Sequence, residues 1–444
     1  MKDLYRLFCE QVSQVRRPSG QLVLALSGGM DSRVLLDLMA RYRVDEGISC
    51  QAVYVNHGLS PNAVGWGEQC QQWCQEYGIP LSIEMLNLDI STGDSIEQEA
   101  RQGRYTALQG YLLEGDILLT GQHGEDQIET LLLALKRGSG PKGLSAMAAC
   151  KPFSAGYLLR PLLACTKADI EHYAHTQQLQ WVEDESNQDQ RFDRNFLRHE
   201  VTPALIQRWP GFHQAVQRSA TLCAEQEALL NELLAAPFEQ ALQADLSLSV
   251  AVLDNCSERA RWQLLRMWFA HLGLLMPSQV QLKQVWENVA LARSGANPSV
   301  TLTYGQVRRF EQRLFLVADY ADVSDWQHEM GPEQALTLPD GLGQIALQSS
   351  NTGQLGLTKA QLGKLRITFD PEGLSAHPVE RKHSRKLKKL FQEYAVPSWL
   401  RRRTPILMCG DQLVAVADLF VDKAFQGQDY QLIWHQPKTI KNRN

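Results

Sequence analysis

The stretch 22-LVLALSGGMDSRVLLDLM-39 constrains this chain more than any other. A strand-length apolar run stops at Leu26. A helix-patterned run begins near Ser32, with Val34, Leu35, Leu38 and Met39 on the side that would face a sheet. Between them, Ser27-Gly28-Gly29 permits a tight turn and close approach of backbone to a ligand. The free N–H groups of the helix start and its positive dipole end point into that turn, which makes residues Ser27, Gly28, Gly29, Met30, Asp31 and Ser32 a nest for a phosphate or pyrophosphate. A carboxylate beside phosphates is repulsive unless a cation lies between them, so Mg2+ is expected near Asp31, with few protein ligands. The plainer reading is that Asp31 caps the helix. The loop also lacks the lysine that a Walker-type loop places before its Ser/Thr. Without that γ-phosphate clamp, the expected use of ATP is one in which pyrophosphate leaves and AMP is transferred.

The pattern around this loop repeats. Candidate strands at 22-LVLAL, 51-QAVYV, 81-LSIEML and 116-DILLT alternate with helical runs near 32–43, 65–77 and 95–114, the last opening with Asp94 and Glu97 in capping-box spacing. Strand–helix alternation predicts an α/β fold: a parallel sheet with helices on both faces, binding its ligand at the carboxyl ends of the strands. Asn56-His57 and Gly121-Gln122-His123 follow strand ends as the glycine loop does, and so would line the same crevice. A domain of residues 1–210 is expected on this basis. A connector helix and a mostly helical middle domain would follow over 211–331, then a small α+β domain over 332–444.

The block 119-LTGQHGEDQIETLLLALKRGSGPKGLSAM-147 carries the second group of chemical residues. On a helix starting near Glu125, the acids Glu125, Asp126 and Glu129 share one side. Ile128, Leu131, Leu132 and Leu135 form an apolar stripe for the core. Acids near a helix start often only complement its dipole. Here they follow a strand end with His123 and precede a basic glycine loop with Lys136, Arg137 and Lys142, which favours a site for a cationic ligand beside a polyanion.

SGGMDS resembles the loop of the N-type ATP pyrophosphatases, and the second block resembles the HHxDDQxET…RGSGxxGL signature of the tRNA(Ile)-lysidine synthetases. Further segments agree in order: 54-YVNHGLS, 100-ARQGRY, 160-RPLL, 184-DESN, 191-RFDRNFLR, 386-KLKKLFQEYAVPSWLRRRTP and 413-LVAVADLFVD. Gln122, Glu125 and Asn56 depart from the residues usual there. The resemblance implies a PP-loop ATPase-like fold and an AMP-forming ligase. Its substrates would be ATP, L-lysine and a tRNA(Ile) with a CAU anticodon, whose wobble cytidine is adenylated and then receives the lysine. Asp31, Asp126, Glu129 and Arg194 become the expected catalytic residues, with Arg198 one turn beyond Arg194 and His57 near the nucleotide. A tRNA thiolase of the same superfamily is the alternative. It needs reactive cysteines or an iron–sulfur site, and the nine cysteines here include no CxxC.

Charge and composition complete the reading. The net charge is −5, but residues 381–403 hold nine Lys/Arg and one acid, a local +8 in a chain that is otherwise −13. Interleaving with Phe391, Tyr394 and Trp399 suits contact with RNA, so Lys386, Lys388, Lys389, Arg401 and Arg402 are the expected tRNA-binding residues. No apolar run is long enough to cross a membrane, and MKDLYRLFCEQ lacks the apolar stretch of a signal peptide, so a cytoplasmic protein with reduced cysteines and no membrane partner is expected. A homodimer is admitted, but no feature decides it.

Overall fold

The computed structural model describes residues 3–58, 60–86, 96–293 and 295–436. Asp94, and with it the expected capping box at Asp94/Glu97, lies outside them. The chain divides into two compact units, Met1–Leu230 and Asn231–Asn444.

The first unit is built on a six-stranded sheet: β1 (Leu22–Ala25), β2 (Cys50–Asn56), β3 (Leu81–Met85), β4 (Ile117–Leu119), β5 (Cys150–Phe153) and β6 (Gly156–Leu159), in the order β3-β2-β1-β4-β6-β5. All pairings are parallel except β5 with β6. β1 is central and apolar on both faces, as a strand covered on both sides must be. Leu22 and Leu24 enter a core with α1 (Leu4–Val15), α2 (Met30–Glu46), α3 (Ala63–Glu76) and α7 (Lys167–Thr176). Val23 points the other way, to Leu108 and Leu112 at the end of α4 (Ile96–Gln109).

Strand order reverses at β1. The chain runs outward through β2 and β3, then returns to place β4 on the other side of β1. Such a reversal opens a crevice at the carboxyl ends of the two central strands. Both expected motifs begin there. Ser27–Ser32 joins β1 to α2, and Gly121–His123 joins β4 to α5 (Gly124–Lys136). The short α6 (Pro141–Leu144), α8 (Asp193–Phe196), a π-turn at Leu197–Val201, α9 (Thr202–Arg208) and α10 (Phe212–Leu233) complete this unit's helices up to residue 230.

The second unit holds a four-stranded antiparallel sheet within 248–317, packed with helices around buried Leu264, Trp268 and Phe269. A five-stranded and a three-stranded antiparallel sheet follow, sharing a core that includes Ile345, Ile367, Phe369 and Val414. Trp399 packs on Phe315 and Phe310, with ring centroids 5.5 and 6.2 Å away, and so ties the basic segment to the four-stranded sheet. Among the described residues no helix is long and apolar enough to cross a membrane.

Candidate active site

The glycine loop closes on itself. The Ser32 hydroxyl donates to the Gly29 carbonyl at 2.9 Å and accepts from the Ser27 N–H at 3.1 Å. Gly28 takes φ +85°, a left-handed conformation that glycine adopts at no steric cost, and a Cβ there would sit 2.7 Å from Val182 Cγ2. α2 starts at Met30 without a side-chain cap, so Asp31 does not cap the helix and its first N–H groups stay directed into the turn. The loop after β4 lies against this turn. A Cβ on Gly121 would be 3.1 Å from the Asp31 Cβ and 3.2 Å from the Ser32 nitrogen, so glycine is what allows the two motifs to touch.

Asp31 Oδ1 is buried and has no hydrogen-bond partner, and burial raises the pKa of the group. An orphan carboxylate oxygen beside a phosphate nest fits Mg2+, which commonly uses one or two carboxylates and takes its remaining ligands from phosphates and water. Among the described residues no group of three or more His, Cys, Asp or Glu gathers to hold a metal by itself.

His123 stands between the two motifs. Its Nδ1 donates to Glu125 Oε2 at 2.9 Å, and its Nε2 lies 3.6 Å from Asp126 Oδ2 and 3.8 Å from Asp31 Oδ2. Burial alone would lower its pKa, but the bond to Glu125 and the charges of Asp126, Asp31 and Glu125 outweigh it and raise it to about 9. His123 is therefore an imidazolium at neutral pH. The glutamate at 125 reaches further than an aspartate would. Its Oε2 also accepts the Lys167 N–H at 2.9 Å, at the first residue of α7.

Helical spacing brings Asp126 and Glu129 to one side of α5, both buried, as the sequence implies. Two arginines cover them. Arg194 binds Glu129 Oε2 at 2.9 Å and Asp126 Oδ1 at 3.2 Å. Arg198 binds Glu129 Oε1 and Asp126 Oδ1, both at 2.8 Å. The wider π-turn at Leu197–Val201 carries Arg198, and such turns recur at functional sites. Burial would raise Asp126, yet His123, Arg194 and Arg198 hold it below its ordinary pKa. Asp126 is thus a poor base and a good partner for a cation. The apolar stripe of α5 is shorter than its spacing suggests. Ile128 is buried, but Leu135, in the last turn, is 52% exposed because that turn projects beyond the core.

The remaining expected residues sort as follows. His57 lies after β2, where Arg104 Nε donates to its Nε2 at 3.1 Å. Burial and then Arg104 lower its pKa to about 4, so it is neutral. Gln122 accepts from Arg160 Nε at 3.2 Å, so an amide here serves as an anchor for a buried arginine. Lys386, Lys388 and Lys389 are exposed around the helix Leu387–Glu393. Arg401 donates to the Val396 carbonyl at 3.0 Å, and Arg402 pairs with Glu372 and the Ser324 hydroxyl, so these two also hold their own domain together. Sequence reasoning left three participants without a role: the His123 imidazolium, Glu125 as its anchor, and the Gln122–Arg160 contact. The signal for the first two was the HxE spacing directly before Asp126.

Residues 4–205 match the family described as PP-loop domain, 248–315 the TilS substrate binding domain, and 365–436 the TilS substrate C-terminal domain. A tRNA(Ile)-lysidine synthase of Vibrio vulnificus (strain CMCP6) is 57% identical over 98% of this chain and 100% of its own length. The chain belongs to the tRNA(Ile)-lysidine synthase family. A second member, from Vibrio parahaemolyticus, is 55% identical over the same shares. Among solved structures, the U34-tRNA thiolase NcsA from Methanococcus maripaludis is 18% identical, covering 50% of this chain and 79% of its own, with a TM-score of 0.44. For a member of the lysidine synthase family, the departures at Gln122 and Glu125 are accommodated by the contacts described above.

Proposed function

We propose that this protein ligates L-lysine to C2 of the wobble cytidine of a tRNA(Ile) with a CAU anticodon, forming lysidine, with ATP consumed to AMP and pyrophosphate. The observation that carries this reading is the placement of the Asp126–Glu129 pair, with its two arginines, beside the glycine nest at Ser27–Ser32. One half suits an amino acid and the other a nucleotide, and an activated carbonyl of a base placed between them would meet both.

On this reading the N–H groups of Ser27–Ser32 receive the departing pyrophosphate, with the charge of Asp31 offset by Mg2+. ATP would first place AMP on the cytidine O2. The lysine ammonium would then give up a proton to water, and the neutral amine would attack C2 and displace AMP. Asp126 and Glu129 would hold the lysine ammonium while sharing Arg194 and Arg198, whose guanidinium groups suit the lysine carboxylate. The depressed pKa of Asp126 makes it a binder of the cation rather than the acceptor of its proton. The His123 imidazolium would face the anionic side of the reacting group. Residues 1–210 are the catalytic part, 211–331 the substrate-binding part, and 332–444 the part that grips the tRNA through Lys386, Lys388 and Lys389, with Arg401 and Arg402 behind them. A cytoplasmic location follows from the substrate.

A tRNA transcript incubated with the protein, ATP, Mg2+ and lysine, then digested for mass analysis, tests this. Cytidine at the wobble position should gain a lysyl group. A sulfur-containing product, or AMP release that does not depend on lysine, would sink it.

A further inference from the structure

Arg101, Arg104, Lys151 and Arg160 gather at one corner of the first unit. Arg104, on α4, donates to His57 just beyond β2. Arg160 directly follows β6, and Lys151 pairs with Leu158 across the β5–β6 ladder, one step from the strand end. Arg160 also holds Gln122, which follows β4, and donates from Nη1 to the Ala148 carbonyl at 2.7 Å. These contacts set the cluster at the carboxyl ends of the strands, the end that carries Ser27–Ser32. Tyr105 meets Phe153 edge-on, with centroids 5.6 Å apart, tying α4 to β5, and Arg101 lies over the Tyr105 ring at 5.3 Å. Arg101, Arg104 and Lys151 are exposed and Tyr105 is partly so, whereas Arg160 is buried.

Charge is what sets this corner apart. Arg194, Arg198 and Arg403 each meet a carboxylate. Here the Asp184 carboxylate attracts Arg104, while Lys151 and Arg160 face each other's charge and that of Arg101. Burial lowers the pKa of Arg104, Lys151 and Arg160, and repulsion from neighbouring cations adds to this, against an opposing pull from Tyr105 and, at Arg104, from Asp184. Like charges gathered in a half-buried corner are unfavourable until an anion arrives. The glycine nest already accounts for the pyrophosphate end of a nucleotide, so a second cationic groove beside it calls for a second polyanion.

We propose that Arg101, Arg104, Lys151 and Arg160 hold the backbone phosphates of the RNA strand flanking the reacting cytidine, with Tyr105 offered to an unstacked neighbouring base. This rests on the reading that an unpaired RNA base is the substrate. Phosphates position a strand and aromatic faces receive its splayed bases, and this corner supplies both. Gln122 then acts as a positioning residue, its carbonyl fixing the Arg160 guanidinium.

The test uses the full-length protein and an anticodon stem-loop RNA carrying CAU. Arg101→Ala with Lys151→Ala removes two exposed charges, and Lys151→Arg serves as the charge-conserving control. RNA affinity is measured over a range of salt, ATP affinity separately, and lysine incorporation into full tRNA alongside. The double variant should bind the RNA about tenfold more weakly at low salt. Its log–log salt slope should fall by about 1.4, since each single-strand phosphate that the protein no longer neutralises accounts for ~0.7. Lys151→Arg should keep the slope, and ATP affinity should not move. An unchanged slope in the double variant, while the wild type still incorporates lysine, overturns this proposal alone. Weakened ATP binding with normal RNA binding also overturns it and assigns the cluster to the triphosphate. A wild type that incorporates no lysine overturns the underlying reading, and this one with it.

Discussion

Replacing Glu129 by Gln probes the site most directly. The side chain is fully buried, and its oxygens take guanidinium bonds of 2.9, 2.8 and 3.0 Å from Arg194 and Arg198. Gln keeps the volume and one acceptor, but turns an N–H2 group toward a guanidinium. Removing one partner of a buried ion pair costs about 3–5 kcal/mol. The arginines are 25% and 31% exposed and retain Asp126, so water and that acid recover part of the cost. A loss of about 2–3 kcal/mol is expected after that discount. For a cooperative unit of this size each kcal/mol moves Tm by about 2–4 °C, so the transition of the first unit should fall by about 4–12 °C. The KM for lysine should rise about tenfold or more, because the site loses charge that the substrate cation needs. Exchange of ATP with pyrophosphate in the presence of tRNA should stay within about threefold, since Ser27–Ser32 is untouched. Calorimetry and steady-state kinetics read these together. A melting curve and a lysine KM both indistinguishable from wild type would refute the assignment of the acid–arginine cluster.

Three other outcomes are expected. Asp31→Asn should remove pyrophosphate exchange by about a hundredfold or more while leaving Tm nearly unchanged, because Oδ1 has no hydrogen-bond partner to lose and Oδ2 faces His123 only at 3.8 Å; normal exchange at saturating Mg2+ would contradict the metal role. The His123 pKa is raised in the folded state to about 9 from an ordinary 6.5, so its contribution to stability is fully present below pH 6.5 and fades as pH rises toward and through 9; His123→Gln should flatten the decline of Tm across that window, and an identical decline in the variant would show that other groups cause it. Lys386→Ala with Lys388→Ala should weaken binding of full tRNA and lower its salt slope by about 1.4–1.8, judged from binding at several salt concentrations; an unchanged slope would remove these lysines from the interface.

Local patterns carried much of this molecule in plain view. The strand–glycine–helix unit at 22–39 is readable because its signals are short-range: apolar period, turn glycines and a helix start. The i, i+3 spacing of Asp126 and Glu129 puts them on one helix face whatever surrounds them. Leu135 was misplaced by the same logic, because a stripe says which way a side chain points but not where the core ends. Arg401 and Arg402 read as a free basic run, although Arg401 bonds the carbonyl of Val396 five residues earlier and Arg402 reaches Glu372, outside that run.

From sequence alone came the α/β class, the crevice-lining loops and the residue types able to do the chemistry, because each depends on contacts a few residues apart. The tertiary structure alone decided which charges face one another. Arg194 and Arg198 close on acids more than sixty positions earlier, and His123 is charged only because three carboxylates converge on it. Arg101 and Lys151 share a corner only because the β5–β6 hairpin turns back beside α4. Coulomb energies and burial depend on distance in space, which a linear order of residues does not contain.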